Sequence, residues 1–335
     1  LAGFPAIDVC QTPEYHLAYA TRTPGAEPLL WLYEAGAERF AYPFLLAPVR
    51  WRRADGSLEE TGYTDISGIY GYSGPLSTSA DPLFLEAAWI AFGTWSAERK
   101  AIAEFIRYSP HAGTHRFAPP GGSVEENRLI AVSRLPPSAE GLLTALDAKT
   151  RNMIRKAEKA GLSARELEPR PWIPRFRVLY DETMARNASP GFFAYDDDYY
   201  GRMLALPAGE MRLFGTFQGE ELVAASIALA HGKGSLYHLG ASKKEFSNLG
   251  ANNLCLFAMS SALIASEIGF LNLGGGRTTD PSDPLLRFKR SNGTGTETYR
   301  IGRRVLDRSG YAAVAARWRA TQSADPDPAK AIFWR

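Results

Sequence analysis

Residues 211–276 read "MRLFGTFQGEELVAASIALAHGKGSLYHLGASKKEFSNLGANNLCLFAMSSALIASEIGFLNLGGG". Three β runs, "MRLFGTF", "ELVAASIALA" and "SLYHLGAS", are joined by Gln218-Gly219-Glu220 and His231-Gly232-Lys233-Gly234. This turn chemistry favours antiparallel hairpins. A loop, "KKEFSNLG", leads into "ANNLCLFAMSSALIASEIG", an apolar run too long for a strand and of helical length. A last strand, "FLNLGGG", closes the unit. Upstream lie a strand candidate at 162–168 ("LSARELE") and helix candidates at about 172–187 and 196–205. Downstream come a short helix at 283–290 and a strand, "ETYRIG".

The first half carries a weaker copy of this order. "PLLWLYEA" and "RFAYPFLLAPV" form a hairpin, "GIYGYSGP" a Gly-rich loop, "PLFLEAAWIAFGTWS" a helix and "AEFIRYS" a strand. The repetition predicts two related α/β halves. Their boundary is expected at the Pro-rich "RLPPSAEG" (134–141), which gives domains at 1–135 and 136–335.

With 335 residues, 45% hydrophobic and 22% charged, the chain has an ordinary globular composition and room for two compact domains. Disorder and coiled coil are excluded on that ground. No apolar run approaches the roughly 20 residues of a membrane span, and the start lacks the basic and apolar blocks of a signal peptide. A cytoplasmic protein is expected, with peripheral membrane contact left open. Cys10 and Cys255 stand far apart without ligand-like neighbours, so they are read as reduced, structural thiols.

The net charge of +2 hides local imbalance. "LDAKTRNMIRKAEKAG" (146–161) holds five basic residues against two acids. On a helical wheel Leu146, Thr150, Met153, Ile154, Ala157 and Gly161 fall on one side. Lys149, Arg151, Arg155, Lys156, Glu158 and Lys159 fall on the other. Ser138 can begin this helical region and Gly161 stop it. The basic face is either solvated surface or a surface for something anionic.

Several strings then narrow the reading: "KTRNMIRKAEKAG" (149–161), "YHLGAS" (237–242), "EIGFLNLGG" (267–275) and "LLRFKRSNGT" (285–294). In this order of elements they resemble the FemABX-like branch of the GNAT acyltransferase superfamily. The likeness covers most of residues 60–305. "YGYSGP" (70–75) and "FIRYSP" (105–110) resemble the subgroup of envelope and polysaccharide pathways. The resemblance implies an α/β (α+β) fold of two tandem GNAT-like domains, each a mixed, mainly antiparallel sheet flanked by helices. The first would serve the acceptor, and the second the donor and the reaction.

The resemblance further implies transfer of an aminoacyl group from aminoacyl-tRNA onto a primary amine of a cell-envelope precursor or peptidyl metabolite. No tightly bound cofactor or DNA is expected. Lys149, Arg151, Arg155 and Lys156 would meet RNA phosphates, contacts that give salt-sensitive affinity. An acyl-CoA-dependent N-acyltransferase of an amino sugar is the alternative, and a GNAT-like protein that only binds carbohydrate or RNA is a third reading. Acetyl-CoA enzymes of this superfamily use a loop of the type Q/R-x-x-G-x-G/A at a helix N-terminus, where free N–H groups favour anions. Here the place reads Ser247-Asn248-Leu249-Gly250-Ala251-Asn252. Gly250 fits, whereas Ser247 and Asn252 depart from the pattern. The departure weakens the CoA reading without excluding it.

Transfer to an amine needs an unprotonated nucleophile, a polarised carbonyl and a proton route for the leaving group. Two strands that splay apart can offer a backbone N–H to the carbonyl, and "YHLGAS" and "FLNLGGG" are the candidate pair. Tyr237 and His238 alternate across the sheet, so only one faces the reaction. His238 is a candidate base or a structural histidine. By resemblance, Phe288-Lys289 matches the family's "FK", whose lysine lies near the reaction centre, able to stabilise negative charge. Asp65, Tyr70, Tyr72 and Arg107 fall in strings that the resemblance places near the acceptor cleft. Arg107 suits a phosphate or carboxylate there. No metal site is expected: His111 and His115 have helical ligand spacing, but Gly113 lies between them and no third ligand is near.

Overall fold

The computed structural model describes residues 3–4, 7–187, 194–322, 325–327 and 330–335. In chain order its first elements are α1 (Pro13–Ala20), β1 (Glu27–Ala35), β2 (Glu38–Arg52), β3 (Leu58–Ser67), β4 (Leu76–Ser77), α2 (Pro82–Glu98), β5 (Ala101–Arg107) and β6 (Ser123–Arg134). There follow α3 (Ala139–Ala145), α4 (Ala148–Lys159), β7 (Leu162–Leu167), α5 (Pro169–Arg186), α6 (Asp197–Met203), β8 (Met211–Gln218), β9 (Glu221–His231) and β10 (Gly234–Ser242). The last are α7 (Ala251–Ala265), β11 (Phe270–Gly274), α8 (Pro284–Ser291), β12 (Gly295–Val305) and α9 (Arg308–Gln322).

Contacts divide the chain into one unit of Leu1–Asn127 with Tyr299–Arg335 and another of Arg128–Thr298. The expected division into 1–135 and 136–335 differs from this in a way that strand pairing explains. In the first unit β1, β2 and β3 are antiparallel, β5 joins β3 in parallel, and β12 pairs antiparallel with β5. In the second β7, β8, β9 and β10 are antiparallel, β11 joins β10 in parallel, and β6 pairs antiparallel with β11. The outer partner of each parallel strand is thus supplied by the other half of the sequence. Both units share one order: antiparallel strands, a helix (α2 or α7), then a parallel strand.

Local chemistry fixes the helix starts. Asp147 caps α4 by accepting from the Thr150 N–H at 2.6 Å, and Ser138 caps α3 through Gly141 N–H at 3.1 Å. The expected single helical region is therefore two helices, with Asp147 starting the second. Within α4 the buried residues are Thr150, Ile154 and Ala157, as the wheel predicts. Helix α5 begins before the expected 172 because Pro169 sits in its first turn, where a missing N–H costs nothing.

Helix α7 is apolar on more than one side because it is covered on more than one side. Cys255, Leu256, Met259 and Leu263 pack with Phe214, Leu271 and Leu273, while Leu254 packs with Ile154, Ala157 and Leu162. Burial of each large side chain contributes about 1.5–3 kcal/mol. Cys10 and Cys255 are both buried and free. The first unit's core is aromatic, with Tyr42 and Phe44 rings 5.0 Å apart and Phe40 and Trp89 rings 5.3 Å apart. Among the described residues no helix is long and apolar enough to cross a membrane.

Candidate active site

Strands β10 and β11 pair at Gly234–Phe270, Ser235–Leu271 and Leu236–Asn272, and then part. On its other side β10 stays paired with β9 through Ser242. A bulge marks the parting: Tyr237 lies opposite Ala228 and Leu239 opposite Ile227, which leaves His238 as the extra residue. Bulges re-aim side chains and locally end pairing. The expected splayed pair is present: among the described residues β11 pairs with β10 no further than Leu236, and at the far end of β10 the Ser242 N–H donates to Thr183 Oγ1 of α5 at 3.1 Å.

Lys289 lies at this opening. Its Nζ donates to the Gly275 carbonyl just past β11 at 3.0 Å and sits 5.5 Å from the centre of the Tyr237 ring. Burial pushes its ammonium down to about 8, with the Asp283 carboxylate pulling the other way. Below that value the side chain is a fixed, partly desolvated cation. Phe288 packs beside Tyr237 against the cluster containing Leu271, Leu273 and Leu286, so it anchors α8 while Lys289 points to the opening.

Asp283, which the sequence reading passed over, organises the approach to α8. Its carboxylate accepts from the N–H groups of Leu285 at 2.9 Å and Leu286, Arg277 and Thr278 at 3.1 Å each. Burial would raise its pKa, but these donors hold it below the usual carboxylate range. The signal was in the sequence: an Asp directly before a Pro at a helix start is an N-cap followed by N1 proline.

Tyr237 and His238 diverge at the bulge, Tyr237 toward the cluster under α7 and His238 toward α6. Burial pushes the Tyr237 phenol up to about 12, so it keeps its proton, and its hydroxyl leaves no room for a Cβ at Gly240. His238 turns to α6: its Nε2 is 2.7 Å from the Tyr199 hydroxyl, and its ring lies 6.1 Å from that of Tyr195. Burial pushes His238 down to about 3. A neutral imidazole already engaged by a tyrosine is a poor base, so of this pair Tyr237, and not His238, is brought together with Lys289.

The expected donor residues fall into two groups. Lys149 and Arg155 are exposed on α4. Arg151 instead donates to the Leu146 carbonyl, and to that of Thr144 at 3.2 Å, tying α4 to the end of α3. Lys156 donates to the Asn248 carbonyl at 2.7 Å, supporting the loop before α7. Gly250 has φ +86°, and a Cβ there would collide with the Met153 carbonyl, so α4 packs directly on the turn that opens α7. Asn252 Nδ2 donates to Ser242 Oγ at 2.9 Å, linking α7 to the end of β10.

In the first unit Asp65 is not free to meet a ligand. It is fully buried, and its two oxygens accept from the Trp334 indole at 2.7 Å and from the Arg335 guanidinium. Burial nevertheless pushes its carboxyl up to about 6. Tyr70 stacks on Tyr19 at 6.4 Å, and Arg107 lies close enough to oppose the rise that burial gives the Tyr19 phenol. Arg107 also donates to the Gly68 carbonyl at 2.7 Å and covers Phe105. Tyr72 meets Tyr299 edge-on at 5.1 Å. Tyr70 and Arg107 thus share a neighbourhood around Tyr19, whereas Asp65 serves as an anchor for Trp334 and Arg335. Gly113 at φ +62° separates His111 from the short helix holding His115, so the two do not share a helix face.

Comparison with known proteins bears on the fold that carries these residues. Residues 147–290 match the family model described as an acetyltransferase (GNAT) domain. No curated protein matches the chain in sequence. Among solved structures, the crystal structure of FemX is similar with a TM-score of 0.73 at 14% identity, covering 93% of this chain and 95% of that one. L-PGS from Bacillus licheniformis is similar with a TM-score of 0.55 at 13% identity, covering 92% and 97%. The C-terminal domain of a putative lysylphosphatidylglycerol synthetase from Agrobacterium fabrum has a TM-score of 0.54 at 13% identity, covering 91% of each chain. Residues 147–290 thus match the model of a GNAT acetyltransferase domain, in a chain that has the fold seen in FemX.

Proposed function

We propose that this chain is an acyltransferase of FemABX type, which moves an aminoacyl group from aminoacyl-tRNA onto a primary amine of a cell-envelope precursor or peptidyl metabolite in the cytoplasm. The observation that carries the reading is the parting of β10 from β11 with the Lys289 ammonium held beside it. An acyl group inserted there meets β10 just past its last pairing with β11, beside a fixed cation. The amine nitrogen attacks the acyl carbon, a C–N bond forms, and the C–O bond to the tRNA ribose breaks. The amine gives up a proton and the ribose oxygen takes one. Lys289 opposes the negative charge that develops on the way, which is worth more in the transition state than in the ground state. Lys149 and Arg155 supply positive charge for RNA phosphates. By the resemblance, Tyr70, Tyr72 and Arg107 contact the acceptor.

The test is to incubate the protein with charged tRNA or acetyl-CoA and a panel of amines, and to follow both donor and product by mass spectrometry. Loss of the aminoacyl group from tRNA with matching mass gain on an amine is the expected result. Transfer from acetyl-CoA alone would establish the N-acyltransferase alternative. Binding of tRNA or carbohydrate without transfer from any donor would leave a binding protein.

A further inference from the structure

Asn272 is the last β11 residue paired with β10, and it is 1% exposed. Its Oδ1 accepts from the Gly274 N–H at 2.8 Å. That bond fixes the orientation of the amide, because a reversed side chain would set Nδ2 against another donor. Nδ2 is consequently turned away from Gly274, and among the described residues it has no hydrogen-bond partner although it is buried. Leu271 packs on the α7 side, so alternation across the Leu271–Asn272 step, ahead of the irregularity at Leu273, places Asn272 on the opposite face.

A buried amide donor without a partner is costly and uncommon, and each one calls for an explanation. Here the neighbouring strand ends its pairing directly beyond this residue. A group bound beyond the last paired residues lies next to Asn272, at the place where the two strands part. We infer that Asn272 is a catalytic residue, whose Nδ2–H donates to the carbonyl oxygen of the acyl group lying between β10 and β11. This rests on the acyl-transfer reading above and names a further residue for that site. The donor is pre-oriented by Gly274, so it needs no reorganisation when charge develops on the oxygen. Removing one pre-oriented donor of this kind costs about a hundredfold to a thousandfold in kcat.

Two variants and one spectroscopic measurement test the assignment. Asn272→Asp keeps the oxygen facing Gly274 and removes the donor, and Asn272→Ser removes the amide without adding charge. Both are expected to lower kcat about a hundredfold or more with KM changed by less than about threefold. In parallel, the full chain labelled with 15N-asparagine is titrated with acetyl-CoA and with a 3′-alanylamido-adenosine, a stable amide analogue of a charged tRNA end. The Asn272 side-chain NH2 signals, identified by their loss in the Ser variant, should move downfield on adding the analogue that binds. If the wild type transfers an acyl group while both variants keep kcat within about threefold, the Asn272 assignment falls and the transfer reading stands. If the wild type transfers nothing but the NH2 signals still move downfield, the transfer reading falls and Asn272 stands as a ligand donor. Signals unmoved by either saturating analogue overturn the assignment whether or not a misfolded variant obscures the kinetics.

Discussion

Replacing Lys289 with methionine separates its chemical role from its effect on folding, because the two move in opposite directions. The folded protein holds the ammonium near 8, against an ordinary lysine value of 10.5. At about 1.4 kcal/mol per tenfold in acidity, this bounds the penalty of burying the charge at about 3 kcal/mol. The side chain is only half-buried, and solvent screening reduces the figure to about 1–2 kcal/mol. Methionine removes that penalty but leaves the Gly275 carbonyl without its donor, a loss of about 1 kcal/mol. The net expectation is a stability between unchanged and about 1 kcal/mol higher, or a rise in Tm of up to about 4 °C for a unit of this size. Turnover should fall about a hundredfold or more.

The pH dependence follows with its sign fixed. A lysine whose folded pKa is depressed leaves the unfolded chain with more bound protons between about 8 and 10.5, so wild-type stability recovers as pH rises through that window. The advantage of the Met variant in urea melts is therefore full at pH 7 and fades toward pH 10. Wild-type kcat should decline above about pH 8 as the ammonium is lost, an inflection absent from the residual activity of the variant. Lys289→Arg should recover part of the rate, since a planar guanidinium cannot occupy the same point. A Met variant with turnover within about threefold of wild type would refute the placement of the reaction at the β10–β11 opening.

Reversal of Lys149 and Arg155 to Glu should weaken tRNA binding and lower the slope of log affinity against log salt by about one for each phosphate that is no longer neutralised; filter binding across a salt series reads it, and an unchanged slope returns this face to plain solvated surface. Asp65→Asn should leave the stability of the first unit at pH 7 unchanged or raise it by about 1 kcal/mol, because the burial that lifts this carboxyl to about 6 outweighs its pairing with the part-exposed Arg335. Thermal melts check this, and a KM for the amine that rises steeply well below the melting temperature would restore Asp65 to acceptor binding.

The second half of the chain was more legible in sequence than the first because its elements agree with their local signals. Glycine-bearing turns join β8, β9 and β10, and the apolar length of α7 allows only a helix. The elements that the sequence reading passed over are those whose burial comes from distant partners. β3 reads as a polar stretch, "LEETGYTDIS", yet Glu59 within it is buried through ion pairs with Arg53 and Arg317. Helix α9 opens with "RSGY" and carries arginines, yet Val314 and Ala315 pack with Trp51, Phe333 and Trp334. The division at 135/136 went astray for the same reason. A Pro-rich linker marks where the chain turns, whereas the exchange of β6 and β12 is decided by which strand edges they complete.

For the site, residue type proved a weaker guide than the face on which a residue stands. Lys149, Arg151, Arg155 and Lys156 look alike on a wheel, but Arg151 and Lys156 reach backbone carbonyls and hold the α3–α4 and α7 junctions together. Tyr237 and His238 are adjacent, and a single-residue bulge in β10 decides which of them meets Lys289. No pattern of residue types announces a bulge of one residue, because it arises from a mismatch in register between β9 and β10. Asn272 is the extreme case. In "FLNLGGG" it is one polar residue in an apolar strand, and only the parting of its neighbour explains why a buried amide there can keep a hydrogen free. A donor left over in the middle of a sheet would be a defect, whereas a donor left over where two strands separate is available to whatever is bound between them.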